Sequence, residues 1–398
     1  MIIKNFFLLS ARFKLKKIVK SVFHKSPNLL FFLKKNFYFT LPGVLDKKQF
    51  YLYSAFENSS GKNFFLFPFD GKIIAFATGP FNDNRGIGRI TRNLFLQIAE
   101  LIDFRKEFAT LSIEKRSKYK DYDLTCVDVY FFSSIHWCKH SVPENSVVMI
   151  MDVIPLVLSK FFPKVVVNNW EKNFKSIAEK CNQIVTISNS KAQDITKILS
   201  IDSKKISVIS PGLERIRVAN KSRHKIPTGS FVLFLGSNDF HKNAEVVIQA
   251  LAMPLLKKIS IVFVGENEEL QKTCKCFGIS NRSIFFGRLQ DEDKAFVMSS
   301  ASLLVFPSLY EGFGLPPMEA ALMGVPSVCS RRPAMTEVLN DCALFADPHD
   351  CLEWSEQIYK LIHEPYLRSK IIKKASEKAN KLCWRNSSQK LLKLLSKY

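Results

Sequence analysis

No apolar run in this 398-residue chain approaches the roughly 18 residues needed to span a bilayer, which argues against an ordinary transmembrane protein. None of its nine cysteines stands in a Cys-x-x-Cys pair, and their number is odd. A zinc ribbon or a disulfide framework is therefore disfavoured, and a reducing cytosol is the simpler setting. His136, Cys138 and His140 alternate along a stretch that would share one face of a strand. Trp137 lies among them and no fourth ligand is near, so a half-buried strand end is expected there and no metal. Acid is missing from the start of the chain: the first 45 residues contain neither Asp nor Glu.

What is present is apolar and basic. At 47% hydrophobic and 24% charged the chain can bury large cores. At about 150 residues per domain, its length suggests two or three domains. The net charge of +22 favours anionic partners: nucleic acid, acidic lipid headgroups or phosphate-bearing small molecules. The positive charge gathers in the first segment rather than in a nucleic-acid-reading motif, so no nucleic-acid partner is expected. There, Leu8, Ala11, Leu15, Ile18, Val19 and Val22 fall on one face at helical spacing, with Arg12, Lys14, Lys16, Lys17 and Lys20 around the rest. Such a basic amphipathic helix suits an anionic membrane surface, or packs on the protein with a solvated basic face. Apolar and basic residues interleave without a clean apolar core, unlike a cleaved signal peptide.

From about residue 72 the pattern changes. Strand-like runs at 72–78, 128–133, 146–153, 183–188 and 205–210 alternate with helical stretches. A second series follows at 231–235, 260–264, 283–286, 303–306 and 325–328. Alternation of this kind means βαβ units and parallel sheets. Residues 212–229, polar and basic, are the best linker. Ligands in open α/β sheets bind beyond the carboxyl ends of the strands, so the cleft between the halves is the expected site.

The most informative stretch is 306–326, FPSLYEGFGLPPMEAALMGVP. A strand ends near Pro307, a glycine-containing loop follows, and Pro316-Pro317 opens a helix whose first turn is expected to hold Glu319. The amides of Phe313, Gly314 and Leu315 would then precede a helix N-terminus, which favours an anion. Glu311 in the loop and Glu319 are acceptors suited to sugar hydroxyls.

Glu311 and Glu319 stand in the E-x7-E spacing of retaining, family 4-type glycosyltransferases of the GT-B fold, and the whole segment resembles that family's signature. The resemblance implies two Rossmann-like domains facing a cleft. It divides the chain into a basic extension (1–70), an acceptor-side domain (71–218), a nucleotide-sugar-binding domain (225–383) and a C-terminal helix (384–398) that crosses back. It implies that Glu319 binds the ribose, that Glu311 approaches the donor sugar, and that the amides of Gly312, Phe313, Gly314 and Leu315 meet the diphosphate. The strand-loop at 234–243 (FLGSNDFHKN), with Gly236, is similar to the one whose Arg-Lys pair grips the donor phosphates. Lys242 is retained, while His241 stands where many relatives have Arg, a weaker anion partner. Arg288 in FFGRLQD is implied near the base.

In the first half, NRGIGRITRNL (84–94) resembles the glycine-rich loop over the diphosphate, where Gly86 and Gly88 would admit phosphate to the backbone. It lacks the third glycine and downstream acid of a dinucleotide fingerprint. IMDVIPL (150–156) is similar to the strand-end H-D-x-x-P-L, with Asp152 matching and Met151 in a position often held by His or Tyr. The reaction implied is transfer of a sugar, with retention, from a nucleoside diphosphate sugar to a hydroxyl, with no cofactor. No metal is expected, since no Asp-x-Asp stands at a strand end. The combination most resembles bacterial mannosyltransferases of O-antigen and surface polysaccharide. That points first to GDP-mannose, with UDP- and dTDP-sugars as alternatives, and to a lipid-linked glycan acceptor at the inner face of the cytoplasmic membrane. A non-catalytic scaffold of the same fold is the competing class, suggested by Met151 and His241.

Overall fold

The computed structural model describes residues 64–83, 85–112, 126–138, 142–216, 218, 225–266 and 269–398. The amphipathic helix expected before residue 23 lies outside the described residues, as do His140 and Asn84.

The first sheet contains β1 (Phe64–Phe69), β2 (Lys72–Ala77), β3 (Val129–Phe132), β4 (Ser146–Met149), β5 (Gln183–Thr186) and β6 (Ile206–Val208), in that spatial order. β2 to β6 are parallel, but β1 runs antiparallel to β2. An antiparallel edge strand is thus added to the expected parallel sheet, and residues 64–69, placed in the extension by the sequence reading, pair with β2 in this sheet. The joining turn is Asp70-Gly71, both at positive φ, as a two-residue hairpin needs. Five of the six residues of β1 (FFLFPF) are buried, and its Pro68 is tolerated because β1 is an edge strand. The connections carry α1 (Gly86–Leu101), α2 (Phe104–Thr110), α3 (Ile154–Val157), α4 (Lys164–Lys180) and α5 (Asn189–Leu199).

The second sheet is fully parallel. Its strands are β7 (Phe231–Leu235), β8 (Ser260–Val264), β9 (Ser283–Phe286), β10 (Leu303–Phe306), β11 (Ser327–Ser330) and β12 (Leu344–Ala346), in the order β12-β11-β10-β7-β8-β9. The order reverses between β7 and β10, which are hydrogen-bonded neighbours. Crossovers therefore leave on opposite sides there and open a crevice at the strand ends. Around it run α6 (Ala244–Ala252), α7 (Leu270–Cys276), α8 (Asp291–Ser300), α9 (Leu315–Leu322), α10 (Pro333–Leu339), α11 (Cys351–His363) and α12 (Pro365–Ala379).

The last helix, α13 (Trp384–Leu395), buries Leu391, Leu392 and Leu395 beside α1 of the first half, where Ser388 Oγ donates to Leu94 O at 3.2 Å. One apolar cluster thus spans both halves. Phe65, Phe76, Phe95 and Phe131 from the first sheet side share it with Phe313, Met318 and Met335 from the second. Phe76 meets Phe95 and Phe131 edge-on at 5.6 and 5.1 Å between ring centroids, each pair adding about 0.5–1.5 kcal/mol beyond its area. Among the described residues, no helix is long and apolar enough to cross a membrane.

Candidate active site

Chain topology assembles the site at the reversal. β7 leads through a short 3-10 turn, Phe240–Lys242, and through Asn243 into α6. β10 leads through the loop 307–314 into α9. Because β7 and β10 are adjacent, Lys242 and Glu311 meet although 69 positions separate them: Nζ lies 2.6 Å from Oε1, with both side chains largely covered. Two further bonds lock the loops. Leu309 N donates to His241 O at 2.7 Å, and Asn243 Nδ2 donates to Pro307 O at 3.2 Å and to Pro348 O at 2.7 Å. Burial and the neighbouring Lys242 charge hold the His241 imidazole below its ordinary pKa of 6.5. It is thus a neutral partner at neutral pH.

Glu319 differs from expectation in two ways. α9 begins at Leu315, with Gly314 as its N-cap at φ 93°, so no acid lies in the first turn and Glu319 falls in the second. Pro316 and Pro317 also remove two of the amides that a helix N-terminus would offer an anion. Glu319 is only 5% exposed, and its Oε1 accepts a hydrogen bond from Arg89 Nη1 of α1. Arg89 Nε also lies 3.4 Å from Glu214 Oε2. Burial works against the Arg89 charge, but Glu319 and Glu214 outweigh it and raise its pKa above the arginine norm.

The loop between the two glutamates is pressed against the first half. Ser188 Oγ donates to Gly312 O at 2.8 Å. A Cβ on Gly312 would stand 2.7 Å from Ile187 Cδ1 and 2.8 Å from Met151 O, so only glycine fits this close approach. Phe313 is buried in the shared core, its ring turned away from solvent. Tyr310 Oη donates to Asp194 Oδ2 at 2.8 Å, and Lys191 Nζ reaches the same oxygen at 2.5 Å while lying 3.4 Å from the Tyr310 ring centroid. Burial lowers the Lys191 pKa and raises that of Tyr310. Glu337, in the second turn of α10, accepts from Asn189 N at 2.8 Å and Ser190 N at 2.6 Å, capping α5 across the gap between the halves.

On the acceptor side, Asp152 Oδ1 accepts from Ile154 N at 3.2 Å. Gly86 is exposed with open space at its Cα, whereas Gly88 is buried. A Cβ there would fall 1.9 Å from Asp83 O, so Gly88 serves the packing of α1 on the preceding turn rather than backbone access for phosphate. His136 lies in a 3-10 turn, Ile135–Trp137, not on a strand, so the alternation expected through Cys138 does not hold. Gly236 ends β7, its N–H donating to Val264 O at 3.1 Å. Arg288 follows β9, two strands from β7, and pairs at 3.0 Å with Glu266 where both are exposed. The structure brings Lys242 and Glu311 together beside Gly312, sets Glu319 on the following helix against Arg89, and leaves Arg288 after the edge strand β9.

Arg89, Glu214, Lys191, Asp194 and Glu337 were not among the residues expected from sequence. Arg89 lies within NRGIGRITRNL, so that motif is a usable signal for it. Glu214 and Glu337 carry none, because their partners are distant in the chain, and the Lys191–Asp194 pair, three residues apart, shows its role only through the distant Tyr310.

Residues 217–378 match the family described as Glycosyl transferases group 1. Over 258 residues the chain is 24% identical to O-antigen chain mannosyltransferase B of Escherichia coli, covering 61% of this chain and 68% of that protein. Over 233 residues it is 25% identical to the O-antigen chain mannosyltransferase RfbU of Salmonella typhimurium strain LT2, covering 57% of this chain and 64% of that protein. Among solved structures it is similar to WaaG, a glycosyltransferase involved in lipopolysaccharide biosynthesis, with a TM-score of 0.56 at 15% identity over 78% of this chain and 96% of that one. It is also similar to Anabaena HepE in complex with UDP and glucose, with a TM-score of 0.54 at 15% identity over 68% and 78%. The fold is GT-B, the fold of these glycosyltransferases. The chain carries a glycosyl transferases group 1 domain.

Proposed function

We propose that this glycosyltransferase moves a sugar, with retention and without a metal ion, from a nucleoside diphosphate sugar to a hydroxyl of a lipid-linked glycan in bacterial surface polysaccharide assembly. The single observation that carries this reading is the Lys242–Glu311 pair at the sheet reversal, with Glu319 buried in the helix that follows the Glu311 loop. The departing diphosphate develops negative charge, and a positioned ammonium that meets it lowers the barrier. Lys242 takes that role, Glu311 orients the donor sugar, and Glu319 accepts from the ribose hydroxyls. The departing phosphate helps to deprotonate the acceptor on the same face, so retention needs no covalent intermediate on Glu311. Asp152 lies on the acceptor side.

GDP-mannose is the favoured donor, supported by relatives named as O-antigen mannosyltransferases. A UDP-sugar is the second reading, favoured by the likeness to a structure holding UDP and glucose. A lipid-linked acceptor at an anionic inner leaflet is supported by the basic first segment. Phe161, Val157 and Val165, exposed with Lys160 and Lys164 around them, add to it, and the Phe161 ring stacks at 4.7 Å on Phe240, two residues before Lys242.

The test is thermal stabilisation by GDP, UDP and dTDP on the wild type and on Glu319→Ala. Binding at a hundred times Kd adds about 2.7 kcal/mol of apparent stability. The expected result is a shift with GDP that the variant loses, followed by mannose transfer from GDP-mannose with the α-anomer retained. A shift with UDP alone would move the donor to the second reading. No shift with any nucleotide would favour the scaffold class.

A further inference from the structure

The cations that face the crevice are already engaged. Lys242 is held by Glu311, and Arg89 is held by Glu319 with Glu214 beside it. The second arrangement is the more constrained. Glu319 is buried on α9 of the second half, Arg89 projects from the fourth residue of α1 in the first half, and Glu214 lies in the segment joining them. A carboxylate oxygen occupied by a guanidinium is less free to accept from a ribose hydroxyl. Conversely, a guanidinium has donors only and no acceptor, so once released it must find another anion. Arg89 thus faces two carboxylates, with the Asp291 carboxylate also acting on it, so its charge is committed to acidic side chains unless the pairing changes.

Building on the function proposed above, we infer that Arg89 is a donor-exchanged cation: in the empty site it neutralises Glu319, and when the ribose takes Glu319 it is handed to the donor diphosphate. Arg89 is then a binding residue on the opposite half from Lys242, and donor recognition is coupled to contact between the halves. No bond is made or broken in this step; hydrogen bonds and ion pairs are exchanged. Two carboxylates pass from cations to sugar hydroxyls, and two cations pass from carboxylates to phosphate oxygens.

The exchange has a signature that plain structural support lacks. Arg89 competes with a nucleoside for Glu319 but assists a diphosphate. In Arg89→Gln, GDP is expected to bind about tenfold or more weakly, whereas guanosine binds as well as or several-fold better than to the wild type. Arg89→Lys, which keeps the charge, is expected to recover much of the GDP affinity. The same titrations with uridine and UDP run in parallel. If Arg89→Gln loses nucleoside and diphosphate by the same factor, or neither, the inference is overturned while the donor reading stands. If the wild type binds neither GDP nor UDP, the donor reading falls and takes this inference with it. Should Arg89→Gln fail to fold, Glu214→Gln carries the test. Removing one of the two restraining carboxylates is expected to tighten GDP binding about threefold, and unchanged or weaker binding overturns the inference.

Discussion

The two sheets solve different problems with similar parts. In the first, the described strands follow one another in sequence order, so its crossovers leave no reversal and no crevice of its own. In the second, the order turns back between β7 and β10, and Lys242 and Glu311 follow those two strands. The Lys242–Glu311 pair therefore belongs to the sheet that has the reversal. The first half supplies a wall instead: Arg89 reaches Glu319, Ser188 and Met151 hold Gly312, and Asp194 holds Tyr310. Polar contacts that run across the halves in both directions tie the loop and helix carrying Glu311 and Glu319 to the first half.

Four perturbations would break or sharpen that division. The largest effect is expected at the reversal itself. On the proposed mechanism Lys242→Ala removes the ammonium that would meet the leaving diphosphate, and kcat for sugar transfer should fall about 10²–10³-fold, with a smaller change in KM. An unchanged kcat would mean that the second sheet's crevice is not the reaction centre.

Next comes the wall. Gly312→Ala would place a Cβ against Met151 O and Ile187, and overpacking of this kind costs about 1–3 kcal/mol, measured by denaturant unfolding. Loss of activity without loss of stability would instead show that the loop moves independently of the first half. Glu337→Ala removes the carboxylate that caps α5 across the halves, at a cost of about 1–2 kcal/mol. Unfolding in two separated steps would sharpen the picture of two halves held by a few polar clasps.

The smallest effect is in pH. Burial, foremost, holds both His136 and His241 below the ordinary 6.5. The unfolded chain therefore takes up protons first as pH falls through that value, and stability is lost as pH drops below about 6.5, not gained. The thermal midpoint should decline between pH 7 and 5.5. His136→Phe, which keeps an aromatic ring beside Trp170 and Phe174, should flatten part of that decline.

Much of the fold was legible because its signals are local. The runs 231–235, 260–264 and 283–286 are strands within those bounds, since a short β-rich stretch between turn residues needs only its own neighbours to be recognised. The misses have equally local causes. β1 was hidden because FFLFPF follows a basic, aromatic tail, and its Pro68 argues against a strand unless the strand is known to be at an edge. β12, three residues long, is too short to show a period. Gly88 was read as a phosphate-loop glycine, yet its lack of a side chain serves the contact with Asp83 O. A glycine records that room is needed but not for what.

By itself, then, the sequence determined most of the strands and helices, β1 and β12 apart, where the glycine-proline loop lies, and that Glu311 and Glu319 share one strand-loop-helix unit. Period, turn chemistry and motif spacing all act over a few residues. Only the tertiary structure decided the partners. Lys242 meets Glu311 because β7 and β10 are neighbours, and Arg89 meets Glu319 from 230 positions away because α13 and the shared apolar cluster hold the two halves together. An ion pair depends on where two loops end in space, and that is set by strand order and by long-range burial, neither of which leaves a mark on the residues next to the charge.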